Sequence, residues 1–140
     1  MSEAMVRYAH KMAVQRGMVL HFAQMAAENM TFADNTFDVV HAHILFHEVP
    51  VDVGRAVVRE AFRVLRPGGI FAVSDFPTAT PDQPPLRTYM RAVDGSENGE
   101  PYAEGFVRSN ILDAFRAAGF ADVEEHPVAN MTMRTGSKPS

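Results

Sequence analysis

Between Asn35 and Phe76 the hydrophobic positions change period twice. Phe37-Asp38-Val39-Val40-His41-Ala42-His43 is a short β-branched run entered through the turn residues Ala33-Asp34-Asn35-Thr36, and it reads as a strand. From Asp52 to Leu65 the spacing becomes helical. Val53, Val57, Ala61, Val64 and Leu65 share one face, whereas Arg55, Arg59 and Arg63 fall on another. Asp52 is the expected N-cap. Arg66-Pro67-Gly68-Gly69 is the expected stop, since proline cannot continue a helix and glycine tolerates left-handed geometry. Ile70-Phe71-Ala72-Val73-Ser74 follows as a near-continuous apolar run ending in a polar residue, the pattern of a parallel strand covered on both faces. The three pieces form a βαβ unit, which is right-handed.

On the amino-terminal side, Ser2 to Arg16 is an amphipathic helix with Met5, Ala9, Met12 and Ala13 on its inner stripe, Ser2 as cap and Gly17 as stop. Met18-Val19-Leu20-His21-Phe22-Ala23 alternates like a strand. On the carboxyl side, Pro77 to Pro85 is a proline-rich loop, Leu86 to Val93 a short helix and Asp94 to Gly99 its end. Arg108 to Phe120 is a capped helix with Ile111, Leu112, Phe115 and Ala118 inward and Gly119 as its stop. Ala121 to Pro127 and Val128 to Arg134 are two strands joined so tightly that they must be antiparallel.

The 140 residues make one domain, 1–140, without repeats, and its 46% hydrophobic content supports a sizeable core. The net charge of −4 is spread in mixed signs, so the chain lacks the basic face of a nucleic-acid binder. There is no cysteine, which removes disulfide frameworks, thiolate metal sites and thiol nucleophiles. Glu3, Arg7 and Lys11 exclude a signal peptide or membrane span over the first turns, and the expected setting is the cytoplasm.

Three blocks then carry a resemblance. Phe32-Ala33-Asp34-Asn35-Thr36-Phe37-Asp38-Val39-Val40, Leu45-Phe46-His47-Glu48-Val49 and Arg63-Val64-Leu65-Arg66-Pro67-Gly68-Gly69, in this order and spacing, resemble the middle of a class I S-adenosylmethionine-dependent methyltransferase of the small-molecule, type 11-like kind. The resemblance implies an α/β fold with a Rossmann-like methyltransferase sheet, mostly parallel with an antiparallel C-terminal strand pair. It also implies S-adenosylmethionine as cofactor and a small-molecule acceptor. Ala26, Ala27, Glu28, His41 and Ala42 fall where that family holds the cofactor. Two departures stand out. Ala26 occupies the position of the aspartate that reaches the adenine amine, although a backbone donor at Ala27 survives. No Gly-x-Gly occurs among the 140 residues, so the glycine loop that lets backbone approach the methionine end of the cofactor is missing. By this alignment the first two strands would lie before Met1, and the chain is expected to be truncated at its amino terminus. Gly136-Ser137-Lys138-Pro139 resembles the family's usual ending.

In that family the sheet order is 3-2-1-4-5-7-6. Without strands 1 and 2, strand 3 (Met18 to Ala23) is separated from strand 4 by three strand spacings, about 14 Å. Either it moves in beside strand 4 or an apolar edge stays bare, and a bare edge invites another chain. A homo-oligomer or strand-swapped dimer is therefore expected.

Methyl transfer asks mainly for alignment, with a base where the acceptor must lose a proton. His43 and His47 are the candidate catalytic bases, with Asp75 behind them. Tyr89, Met90, Tyr102 and Phe106 are candidates for lining the acceptor pocket. Two rivals accompany the methyltransferase reading. One is a non-catalytic, self-associating module of methyltransferase descent. The other is a metal-binding protein built on His41, His43 and His47, since alternate strand positions share a face.

Overall fold

The computed structural model describes residues 2–77 and 101–140. Helix α1 (Glu3–Gln15) leads to strand β1 (Phe37–His43), a 3-10 turn (Phe46–Glu48), helix α2 (Val51–Val64) and strand β2 (Leu65–Asp75). Helices α3 (Ala103–Arg108) and α4 (Ile111–Ala118) then precede the hairpin β3 (Ala121–Val128) and β4 (Met131–Ser137). The strands form one sheet in the order β1-β2-β4-β3. β1 and β2 are parallel, and both β2–β4 and β3–β4 are antiparallel. This is a Rossmann-like methyltransferase sheet with the 4-5-7-6 part of the expected order, its first two strands absent among the described residues.

One face of this sheet is closed. Val57, Val58 and Ala61 of α2 meet Phe71 and Val73 of β2, Phe106 of α3 and Phe115 of α4 in a single core. Stacked rings form its centre: the Phe71 centroid lies 5.0 Å from that of Phe115 and 5.7 Å from that of Phe120. Gly136 is the floor beneath them, because a Cβ there would stand 2.9 Å from the Phe115 ring. The opposite face is open: the register partners Val39 and Ile70 are 60% and 45% exposed.

Several expectations are corrected. Met18 to Ala23 is not a strand but exposed chain without regular structure. It pairs with no strand of the described sheet, and a strand needs a neighbour to take its backbone hydrogen bonds. Of the two alternatives the described residues match the second, with β1 at the edge of the described sheet. In α1 only Ala13 of the stripe is buried, while Met5 is 57% exposed. Ser2 takes the N-cap position without a side-chain bond, and Gly17 ends the helix at φ +66. Pro50, not Asp52, is the N-cap residue of α2; Asp52 sits in the first turn, where the helix dipole favours a carboxylate.

The stop after α2 is sharper than expected. The chain enters β2 at Leu65, and Arg66 to Gly69 form an irregularity between the pairs Phe37–Leu65 and Val39–Ile70. Of the helix expected over Arg108 to Phe120, Arg108 is the last residue of a separate first helix, α3, closed where the Ser109 hydroxyl donates to the Phe106 carbonyl at 2.7 Å, and the second, α4, starts only at Ile111. Gly119 does end the second, at φ +101. The hairpin strands run to Val128 and from Met131, with Ala129 at the tip at φ 54. Leu86 to Val93, with Tyr89 and Met90, lies outside the described residues.

Candidate active site

The carboxyl ends of the parallel strands β1 and β2 meet at Asp75. This side chain is fully buried, and both its oxygens are engaged. Oδ2 accepts the backbone N–H groups of Leu45 at 3.2 Å and Phe46 at 2.8 Å; Oδ1 accepts the N–H of Phe76 at 2.7 Å. The turn after β1 is shaped to deliver these donors: Ile44 takes φ 50 and its N–H bonds the Ser74 carbonyl, so the chain folds over the end of β2.

His47 completes the arrangement. Its Nδ1 lies 2.7 Å from Asp75 Oδ1, and the residue is only 2% exposed. With three backbone donors already on the carboxylate, the imidazole's role is to donate Nδ1–H. Its Nε2 lies 3.4 Å from Glu48 Oε1. The Phe76 ring covers the imidazole, with centroids 4.5 Å apart.

The other predicted residues separate. His43 is exposed on the open sheet face, its ring centroid 6.0 Å from that of His41. His41 is also exposed, and its Nε2 lies 3.0 Å from Ser74 Oγ, which itself donates to Met133 Sδ at 3.3 Å. The three histidines therefore do not converge, and among the described residues no group of three or more His, Cys, Asp or Glu side chains could hold a metal ion. Ala42 is buried in the core, against which Ala27 packs; Ala26 and Glu28 are exposed in a tight turn closed by the Ala26–Asn29 bridge. Phe106 is a core residue, 3% exposed, and Tyr102 is 41% exposed.

A second polar cluster fixes the segment leading into β1. Arg63 donates to the Met30 and Phe32 carbonyls and to Asp34, and forms a two-point pair with Glu60. Glu60 in turn accepts the Met30 N–H at 2.7 Å. The Arg63 guanidinium holds the Glu60 carboxyl below the usual glutamate range, against the opposing effect of burial, and Glu60 and Asp34 raise Arg63 in return.

Sequence reasoning missed Arg134. It is fully buried in β4, with Nε donating to Glu125 at 2.7 Å and Nη2 to the Phe76 carbonyl at 3.1 Å. Its Cζ stands 5.6 Å from the Phe106 ring centroid, and Nη1 has no hydrogen-bond partner among the described residues. The available signal was its phase: Thr132, Arg134 and Gly136 alternate on the buried face of β4.

Residues 1–73 match the family model described as "Methyltransferase domain". The chain belongs to this methyltransferase domain family. Among curated relatives of the family, it is 31% identical over 139 residues to the ubiquinone/menaquinone biosynthesis C-methyltransferase UbiE of Nitrobacter hamburgensis, covering 85% of this chain and 53% of that protein. It is 31% identical over 134 residues to a sterol 24-C-methyltransferase of Aspergillus fumigatus, covering 91% of this chain and 33% of the relative. The chain thus spans about half the length, or less, of these relatives. Among solved structures, a protein of Bacillus halodurans superposes with a TM-score of 0.77 at 17% identity over 100% of this chain and 81% of that one. PigF with SAH superposes with a TM-score of 0.67 at 15% identity, over 99% and 41%. These structural likenesses are likenesses of fold. No helix among the described residues is long and apolar enough to cross a membrane.

Proposed function

We propose that this chain supplies the acceptor side of an S-adenosylmethionine-dependent methyltransferase acting on a small molecule. The observation that carries the reading is the His47–Asp75 pair, 2.7 Å apart at the joined carboxyl ends of β1 and β2, with His47 inside the segment that matches the family and Asp75 two residues beyond its end. Ligands of open α/β sheets sit beyond the carboxyl ends of the strands. There His47 Nε2 takes the proton of a hydroxyl, amine or activated carbon acceptor, while Asp75 holds the ring in one tautomer. His43, on the adjoining open face, is the second candidate base.

The residues of this chain do not by themselves make up the cofactor site. Ala27, Glu28, His41 and Ala42 would border it, but Ala26 offers a methyl group where a hydrogen-bond acceptor is wanted, and no Gly-x-Gly is present. Residues outside these 140, in the same or another polypeptide, would complete it, and the edge of the described sheet at β1 is where they would join.

That same edge favours a second reading, a non-catalytic module that self-associates. Val39 is exposed along β1, whereas the opposite edge, β3, is protected by Glu124, Glu125, His126 and Pro127. Calorimetric titration with S-adenosylhomocysteine, alongside the mass in solution, separates the two. Binding at micromolar strength, about −8 kcal/mol, supports the enzyme. No heat at millimolar ligand from a folded oligomer sinks it and leaves the module.

A further inference from the structure

His47 is 2% exposed and Asp75 fully buried, so in this conformation the pair is closed to any acceptor. The turn that closes it hangs on one strained residue. Ile44 is a β-branched residue at φ 50, a region that glycine and asparagine enter readily and isoleucine does not. Its side chain is 41% exposed and belongs to no part of the described core, so packing does not call for isoleucine here. Backbone strain of this kind persists where its surroundings impose it, and it gathers at sites that bind or move.

The contacts that impose it fall on the two sides of a single bond. On one side, the Ile44 N–H donates to the Ser74 carbonyl at 2.8 Å. On the other, the N–H groups of Leu45 and Phe46 donate to Asp75 Oδ2 at 3.2 Å and 2.8 Å, and the Phe46 ring packs with centroids 6.5 Å from Phe71 and 6.4 Å from Phe106. Rotation about the Ile44 N–Cα bond leaves the Ile44 N–H on Ser74. It carries the Leu45 and Phe46 N–H groups off Asp75, and His47 moves with them. Burial of Phe46 resists that rotation, and the strain at Ile44 favours it.

We infer that residues 44–48 form a gate that pivots on Ile44: the strain stored there lowers the cost of lifting the turn off Asp75, and the lifted turn admits the acceptor to His47 before closing over it. Opening of such a turn costs less than unfolding the sheet on which it rests. The inference deepens the methyltransferase reading and rests on it, since it states how an acceptor reaches the base which that reading assigns.

The test is amide hydrogen exchange by NMR on the full chain without cofactor. In the unmodified protein the Leu45 and Phe46 amides are expected to exchange together, about tenfold or more faster than the buried Val73 amide once intrinsic rates are removed, while the Ile44 amide stays protected. Ile44→Asn, which accepts the left-handed region, is expected to slow Leu45 and Phe46 about fivefold. Ile44→Val, as strained as isoleucine, is expected to leave them unchanged. Diethyl pyrocarbonate, which modifies accessible imidazoles, is expected to react with His47 more slowly than with the exposed His43, and about fivefold more slowly again in Ile44→Asn. Exchange of Ile44, Leu45 and Phe46 as one group, or of all three at the Val73 rate, overturns the inference and needs no variant to fold. So does equal slowing in the Asn and Val variants, or no slowing in Asn. A His47 that reacts as fast as His43, that never reacts, or that ignores Ile44→Asn overturns it as well. None of these readouts involves S-adenosylhomocysteine or an acceptor, so failure of the calorimetric test and failure of the gate are separate results.

Discussion

Lys138 and Leu65, 73 positions apart in the chain, meet where α2 becomes β2: the Lys138 ammonium donates to the Leu65 carbonyl at 2.8 Å. It also donates to the Phe62 carbonyl at 2.8 Å and to Asn35 Oδ1 at 2.9 Å, and it stands 4.8 Å from the Phe62 ring centroid. A cation at a helix C-terminus that satisfies free carbonyls is favoured by both hydrogen bonding and the helix dipole. Lys138→Met is expected to cost about 1–2 kcal/mol, read as a lower urea midpoint at unchanged slope.

Asp75 is the node of the candidate site and of local stability. Asp75→Ala leaves three backbone N–H groups and the His47 ring without their acceptor in a buried place. The expected loss is about 3 kcal/mol or more. Chemical denaturation checks it, and an unchanged midpoint would mean water replaces the carboxylate freely.

Acid stability should depend on Glu60. Its carboxyl is held below the ordinary range by Arg63, so its contribution is fully present above the unfolded value and is lost as pH falls through the lowered folded value. The stability of the native chain should therefore fall below about pH 4.5. Glu60→Gln should flatten that fall while lowering stability at neutral pH. Urea midpoints of both proteins from pH 3 to pH 7 are the measurement.

Gly69 is constrained by backbone rather than by flexible side chains. A Cβ there would lie 2.9 Å from the Arg66 carbonyl oxygen and 3.0 Å from that of Asp38. Gly69→Ala is expected to destabilise by roughly 2–3 kcal/mol, whereas Gly17→Ala, at φ +66 with no neighbour within 4 Å, meets only the left-handed penalty of about 1 kcal/mol. Thermal unfolding of the two variants gives the order.

Val39 reports on association. It is exposed at the bare edge of the sheet beside Ile70, so Val39→Lys removes no core contact and places a charge where a second strand would pair. The expected outcome is a smaller mass in light scattering with little change in melting temperature.

Local pattern was enough for much of this. The β-branched run from Phe37, the helical period of Val57, Ala61 and Val64, and the turn chemistry of Gly119 are short-range signals, and each element formed close to its expected bounds. The expected helix start at Arg108 gave way to a competing local bond: the Ser109 hydroxyl closes α3, and α4 begins only at Ile111. Of the site, the sequence marked His47 and Asp75 but not their pairing. Residues 28 apart meet because β1 and β2 pair side by side and parallel and Ile44 turns the chain over the end of β2. Met18 to Ala23 has the pattern of a strand, yet a strand exists only with a neighbour to take its hydrogen bonds. Arg134 is the converse case: its burial rests on β4 lying inside the sheet, between β2 and β3, with α3 above it. Residue type and spacing determine which elements can form; which of them find a partner, and which polar side chains end up buried together, was decided by the order of the strands.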